Sequence, residues 1–224
     1  MSKHLVRDLE NLQRQVLAMA GAVEESIYKA IQALQEHDKN LAREVAEGDN
    51  RIDELENAVT EECLKLLALH QPVAKDLRRI AAVLMITTDL ERMGDLASDI
   101  AERALALTHP SPQLVPAKLA RMTDVTTSMV RQSLDAFVNL DAKLARKVIR
   151  LDDEVDRYNA EIIAELIERM KSAPDLIEPC LSLFSAIRHL ERIADHATNI
   201  AEDVVYLVEG EIVRHRPEAI GPDS

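Results

Sequence analysis

Apolar side chains recur every three or four positions from Leu5 to Leu34, with Leu9, Leu12, Val16, Met19, Val23, Ile27, Ala30 and Leu34 on one face. That period predicts an amphipathic α-helix with one buried stripe. Asp38 is suited to cap a second helix, from about Leu41 to Leu69, because its short carboxylate can accept from the free amides of a first turn. Pro72 marks the next start, and a third helix follows to about Leu107. The stretch His109 to Pro116 then carries three prolines in eight residues, which no helix interior tolerates. It is expected to be a linker. Beyond it the pattern resumes in a fourth helix from about Ala117 to Val138, a fifth from Asp141 to Met170 and a sixth from about Pro174 to Val208. Past Gly210 the period is lost, and Pro217, Gly221 and Pro222 predict a loose tail.

The six segments form two sets of three. Leu41-Ala42-Arg43 reappears as Leu144-Ala145-Arg146, Val45 as Val148, Asp49 as Asp152 and Asp53 as Asp156, all 103 positions apart. Further on, Leu90-Glu91-Arg92 matches Leu190-Glu191-Arg192, Asp95 matches Asp195, and Ile100-Ala101-Glu102 matches Ile200-Ala201-Glu202, now 100 positions apart. A three-residue difference in one loop accounts for the step. Each set is one supersecondary block, and two blocks stack or sit side by side. Short turns make neighbouring helices antiparallel. The expected fold is therefore all-α, two tandem antiparallel three-helix bundles over residues 1–110 and 117–210, with a linker at 111–116 and a flexible tail at 211–224.

Composition removes the main competitors. The chain is 47% hydrophobic with five Gly, no Trp and two Phe, so its core is built from aliphatic helix formers rather than the aromatic and β-branched residues of a sandwich or barrel. A net charge of −13 argues against nucleic acid or an anionic lipid surface as partner, since both select basic patches. It suits cations or a basic partner protein. The longest apolar run, Ile80 to Ile86, falls far short of the ~20 residues needed to span a bilayer. The N-terminal residues Met1-Ser2-Lys3-His4 lack the features of a signal peptide, and Cys63 and Cys180 form no spacing pattern, so a reducing cytoplasm is expected, with both thiols packed in the core.

The matching positions that packing does not require are acidic. The third helix carries Glu91, Asp95, Asp99 and Glu102, and the sixth carries Glu191, Asp195 and Glu202, with Asn199 in the place of Asp99. The second and fifth add Asp49 and Asp53, and Asp152 and Asp156. Steps of three or four put each series on one helix face, about a quarter-turn from the apolar stripe, lining the groove where helices meet. Like charges so spaced cost roughly 0.2–0.5 kcal/mol per pair on an isolated helix. Two things could offset that cost: local pairing with Arg92 and Arg192, or a bound cation, for which oxygen ligands suit Mg²⁺, Mn²⁺, Ca²⁺ or iron. The alternative is an ordinary solvated face with local ion pairs.

The stretches Asp89-Leu90-Glu91-Arg92-Met93-Gly94-Asp95 and His189-Leu190-Glu191-Arg192-Ile193-Ala194-Asp195-His196-Ala197-Thr198-Asn199-Ile200-Ala201-Glu202 resemble the signature helices of the PhoU family. The likeness extends from the opening helix to Val208-Glu209-Gly210 and the following Arg214-His215. It implies two three-helix bundles, often dimeric. It also implies a non-enzymatic negative regulator of phosphate uptake and of the phosphate-starvation response, acting between the cytoplasmic face of the phosphate-specific ABC transporter and a sensor histidine kinase. Such a protein is cytoplasmic and peripheral to the inner membrane through its partners. The family's metal motif, carried onto this chain, pairs Glu91 with Asp95, Asp95 with Asp99, Glu191 with Asp195, Asp195 with Asn199, Asp49 with Asp53 and Asp152 with Asp156. The metal it implies is Mg, Mn, Fe or Zn. Asn199 departs from a strictly acidic pattern, so its site is expected to be weaker.

Three other readings stand beside this one. A ferritin-like di-metal protein needs Glu-x-x-His on core helices, and none of the seven histidines has Glu three residues before it. A phosphotransfer bundle could use His189 or His196, but both fall roughly opposite the apolar stripe of the sixth helix, where a solvated side chain is the ordinary expectation. A metal-free helical adaptor differs from the favoured reading only in whether the acids hold an ion. No nucleophile with its base, phosphate loop or zinc-type cluster is present, and phosphate status is expected to be read through partners.

Overall fold

The structure, a computed structural model, describes residues 3–48, 50–107 and 114–210. The first half holds α1 (Lys3–Glu36), α2 (Lys39–Glu47), α3 (Asn50–His70) and α4 (Lys75–Ala106); the second holds α5 (Lys118–Asn139), α6 (Ala142–Ser172) and α7 (Ile177–Glu209). The fold is all-α, and no strand occurs among the described residues. Asp49, residues 108–113, which include the first half of the expected linker at 111–116, and the tail 211–224 lie outside them.

The same turn opens the hairpin in each half. The α1 helix ends at left-handed His37 and α5 at left-handed Leu140, with φ of 56° and 51°. The next residue caps the following helix: Asp38 accepts from the amides of Asn40 and Leu41, and Asp141 from those of Lys143 and Leu144. The amides of these two aspartates bond back to Ala33 and Ala136, closing the preceding helix. The cap expected at Asp38 is observed, because a capping Asp is a local signal; Asp141, expected as the first residue of its helix, is the cap instead.

The expected second helix, Leu41 to Leu69, is two helices. Its counterpart α6 runs unbroken through Leu151, but the first half has Gly48 at that position. Glycine costs a helix interior about 0.5–1 kcal/mol of backbone entropy, and here the helix gives way. A Cβ on Gly48 would stand 2.8 Å from the carbonyl oxygen of Glu44, so this bend admits glycine only. The start expected at Pro72 also moves. Gln71 and Ala74 take left-handed φ of 44° and 47°, and α4 begins at Lys75. In the second half Pro174–Leu176 forms a 3-10 turn before α7 begins at Ile177. The change of offset from 103 to 100 falls in this second hairpin loop.

One continuous apolar core runs through both halves rather than one core in each. Its centre is the pair α4 and α7, which make the most extensive helix contact in the molecule. Both are rich in buried small residues, including Gly94, Ala97 and Ala101 on α4 and Ala194, Ala197 and Ala201 on α7. Cys63 and Cys180 are buried free thiols, and desolvation pushes Cys63 up to about 12. Among the described residues, no helix is long and apolar enough to cross a membrane.

Candidate functional site

The seam between α4 and α7 contains the buried polar groups that join the two halves. His196 Nδ1 lies 2.7 Å from Asp89 Oδ1, and Asn199 donates its side-chain amide to the same oxygen at 3.2 Å. At the far end of the seam, His189 Nδ1 lies 3.7 Å from Asp99 Oδ2. Asp89 with Asn199 and Asp99 with His189 are one contact made twice, because Asp89 is the repeat partner of His189 and Asp99 that of Asn199. The two helices therefore cross antiparallel about a pseudo-two-fold axis, with Gly94 and its repeat partner Ala194 at the centre. Small residues there let the backbones approach closely.

This placement corrects the expectation for the histidines. His189 and His196 each keep only 18% of their side-chain surface in water. They point away from their own half's stripe because that direction faces α4 of the other half. Burial lowers the pKa of His189, with Asp99 opposing.

In the second half α6 and α7 bring Asp152, Asp156, Glu191 and Asp195 into one electrostatic neighbourhood. Burial pushes the Asp152 carboxyl up to about 7, and the charges of Asp195 and Asp156 add to that. Glu191 is buried at 8% exposure and is also raised, by burial first and then by Asp195. Asp195 is raised by partial desolvation and then by Asp156. Arg188 Nη1 donates to Glu191 Oε1 at 2.8 Å. Asp152 Oδ1 and Glu191 Oε2 are buried without a hydrogen-bond partner.

The first half repeats the arrangement more openly. Burial raises Glu91, Asp95 adds to the rise, Arg92 opposes it, and Glu56 and Asp53 contribute smaller increments. Arg92 bonds Asp95 at 3.1 Å and lies 3.4 Å from Glu91. Asp53 is exposed on α3, as is Asp156 on α6.

These rows do not make the metal sites expected of them. Among the described residues no group of three or more His, Cys, Asp or Glu is placed to hold a metal ion. The expectation of Mg, Mn, Fe or Zn on Asp53, Glu91, Asp95, Asp99, Asp152, Asp156, Glu191, Asp195 and Asn199 is therefore corrected. Asp49 is outside the described residues. The physical reason is partly geometric: residues four apart stand about 6 Å apart along a helix axis, whereas hard cations gather several oxygens at about 2.0–2.6 Å. Some of the donors are also engaged otherwise: Asn199 and Asp99 face the seam, and Arg92 and Arg188 take oxygens of Asp95 and Glu191. Sequence reasoning missed Arg188 and Asp89. The signal for Asp89 was its repeat partner, a histidine, since an acid matched to a base at equivalent positions suits a two-fold contact.

A family model described as the PhoU domain matches the chain twice, over residues 16–104 and 119–204. The phosphate-specific transport system accessory protein PhoU homolog of Pseudomonas putida is 42% identical over 96% of this chain and 84% of its own length. That of Aquifex aeolicus is 42% identical over 95% of this chain and 96% of its own. The crystal structure of PhoU from Pseudomonas aeruginosa superposes with a TM-score of 0.85 at 39% identity, covering 92% of this chain and 99% of that one. The phosphate transport system regulatory protein PhoU from Streptococcus pneumoniae gives 0.87 at 33% identity, covering 93% and 99%. Duplicated sequence, duplicated turns and a fold shared along nearly the whole chain lead to one conclusion: this protein belongs to the PhoU family.

Proposed function

We propose that the protein is a metal-free helical adaptor in the control of phosphate transport. The observation that carries this reading is the double family match over residues 16–104 and 119–204, together with relatives named as accessory proteins of a phosphate-specific transport system. The chain is a regulator and not an enzyme. In this reading residues 1–110 and 117–210 are its two repeat units, joined by the linker at 111–116. The partners assigned to it are the cytoplasmic face of the phosphate transporter and a sensor histidine kinase, with the chain itself a homodimer held peripherally at the inner membrane. The acidic rows act by charge: Asp53, Asp95, Asp156 and Asp195 offer negative faces that suit basic partner surfaces, in keeping with a net charge of −13.

Capture of transporter and kinase from membranes, at high and low phosphate, tests the reading. Recovery that falls with added salt supports it. Recovery of neither protein at either phosphate level sinks the assignment of partners.

A further inference from the structure

The first half of the duplicated chain is hollow where the second is filled. Beside the bend at Gly48, α1, α2 and α3 border an open cavity of about 210 Å³. Three of its lining residues, Ala22, Ser26 and Gly48, are small. At the 103-residue offset that matches the turns at His37 and Leu140, their repeat partners are Val125, Met129 and Leu151. Met129 is fully buried, and Val125 and Leu151 pack against the core. The second half thus closes with side chains the space that the first leaves open. Walls without packing partners cost stability, so three small residues at filling positions of one copy call for another occupant.

The lining fixes the chemistry of that occupant. Buried Val45 and Ile52 give the hollow an apolar floor. Two carboxylates and two cations stand around it. Lys29 Nζ lies 2.7 Å from Glu25 Oε1 and 2.8 Å from Glu44 Oε1. Lys29 holds the Glu25 carboxyl below its ordinary range, and the charge of exposed Arg51 adds a smaller pull. These four charges sum to zero. A ligand of one sign would unbalance them, whereas one charge of each sign keeps the site neutral, its anion bonding Arg51 and its cation the second carboxylate oxygens of Glu25 and Glu44. At the ratio by which a cavity of about 150 Å³ takes benzene, this volume takes roughly eight non-hydrogen atoms. No residue of α4 or α7 lines the hollow, which lies apart from their seam.

We infer that the hollow binds a small zwitterion with an aliphatic body, of the size and chemistry of a free aliphatic α-amino acid. Its carboxylate pairs with Arg51 and its ammonium with Glu25 and Glu44. Its side chain covers Val45 and Ile52, in the space whose equivalent Met129 and Leu151 fill in the other half.

Calorimetric titration of the full chain tests it with L-valine, with 3-methylbutanoate, which lacks the ammonium, and with 2-methylpropylamine, which lacks the carboxylate. One valine per chain is expected, and each analogue should bind at least about tenfold more weakly, the factor expected of one lost charge-assisted hydrogen bond. Ser26→Met, which installs the second half's residue, should abolish valine binding without lowering the melting temperature. Arg51→Gln, at an exposed position, should weaken valine by about tenfold or more and leave 2-methylpropylamine unchanged. Either analogue binding as tightly as valine would mean that the hollow reads one charge only. Valine binding untouched by both variants would place the ligand elsewhere, and binding of none of the three probes at millimolar concentration would leave the hollow without a ligand. Each of these results overturns the zwitterion site.

Discussion

His196 and Asp89 meet at 2.7 Å across the seam between α4 and α7, joining residues from opposite halves of a duplicated chain. Asp89 also accepts from Asn199, so its removal leaves two donors without an acceptor at a half-buried site. Asp89→Ala should destabilise the fold by about 1–3 kcal/mol. Urea unfolding of Asp89→Ala, His196→Ala and the double variant gives the coupling between the pair. A coupling indistinguishable from zero would show that the contact does not hold the halves together.

Asp152 makes the stability of the protein fall as pH rises. Its carboxyl is raised from 3.8 to about 7, so the folded state binds a proton more tightly than the unfolded chain does. The stabilisation this gives is complete below about pH 4 and is lost as pH climbs through about 7. Asp152→Asn should flatten this part of the pH profile and raise stability at pH 8 by about 1–2 kcal/mol. Thermal unfolding at pH 5, 6.5 and 8 checks it.

Two glycines should respond oppositely to alanine. Gly21 lies within α1 with no atom within 4 Å of an added Cβ, so Gly21→Ala should stabilise by about 0.5–1 kcal/mol. Gly48→Ala drives a Cβ against the Glu44 carbonyl and should cost about 1–3 kcal/mol. Equal changes in urea midpoint for the two variants would contradict the helix break described at Gly48.

Removal of metal should have no effect on the fold. Protein purified without chelator should carry no more metal than the Asp95→Ala, Asp195→Ala double variant, and EDTA should leave its melting temperature unchanged. Stoichiometric metal lost in the double variant would restore the ion-holding reading.

Much of the fold was legible because its signals are local. The apolar period marked the helices, Asp38 marked a cap, and the 103-residue match marked the duplication. The break at Gly48 was legible in principle, since glycine stands there against Leu151, but a lone glycine is tolerated in many helices. The acidic rows and the local reach of Arg92 are legible from spacing. Whether their oxygens converge on an ion is not, because one-dimensional spacing counts carboxylates without showing where their oxygens lie.

The sequence by itself determined that this chain makes the same helical unit twice, because helical period and capping are local patterns and the repeat can be read by aligning the chain with itself. Only the tertiary structure decided that the halves share one core across α4 and α7, and that His189 and His196 face that seam rather than solvent. It also decided that the acidic rows, among the described residues, do not close around an ion. Those outcomes depend on distances between residues tens of positions to about a hundred apart, which no local pattern encodes.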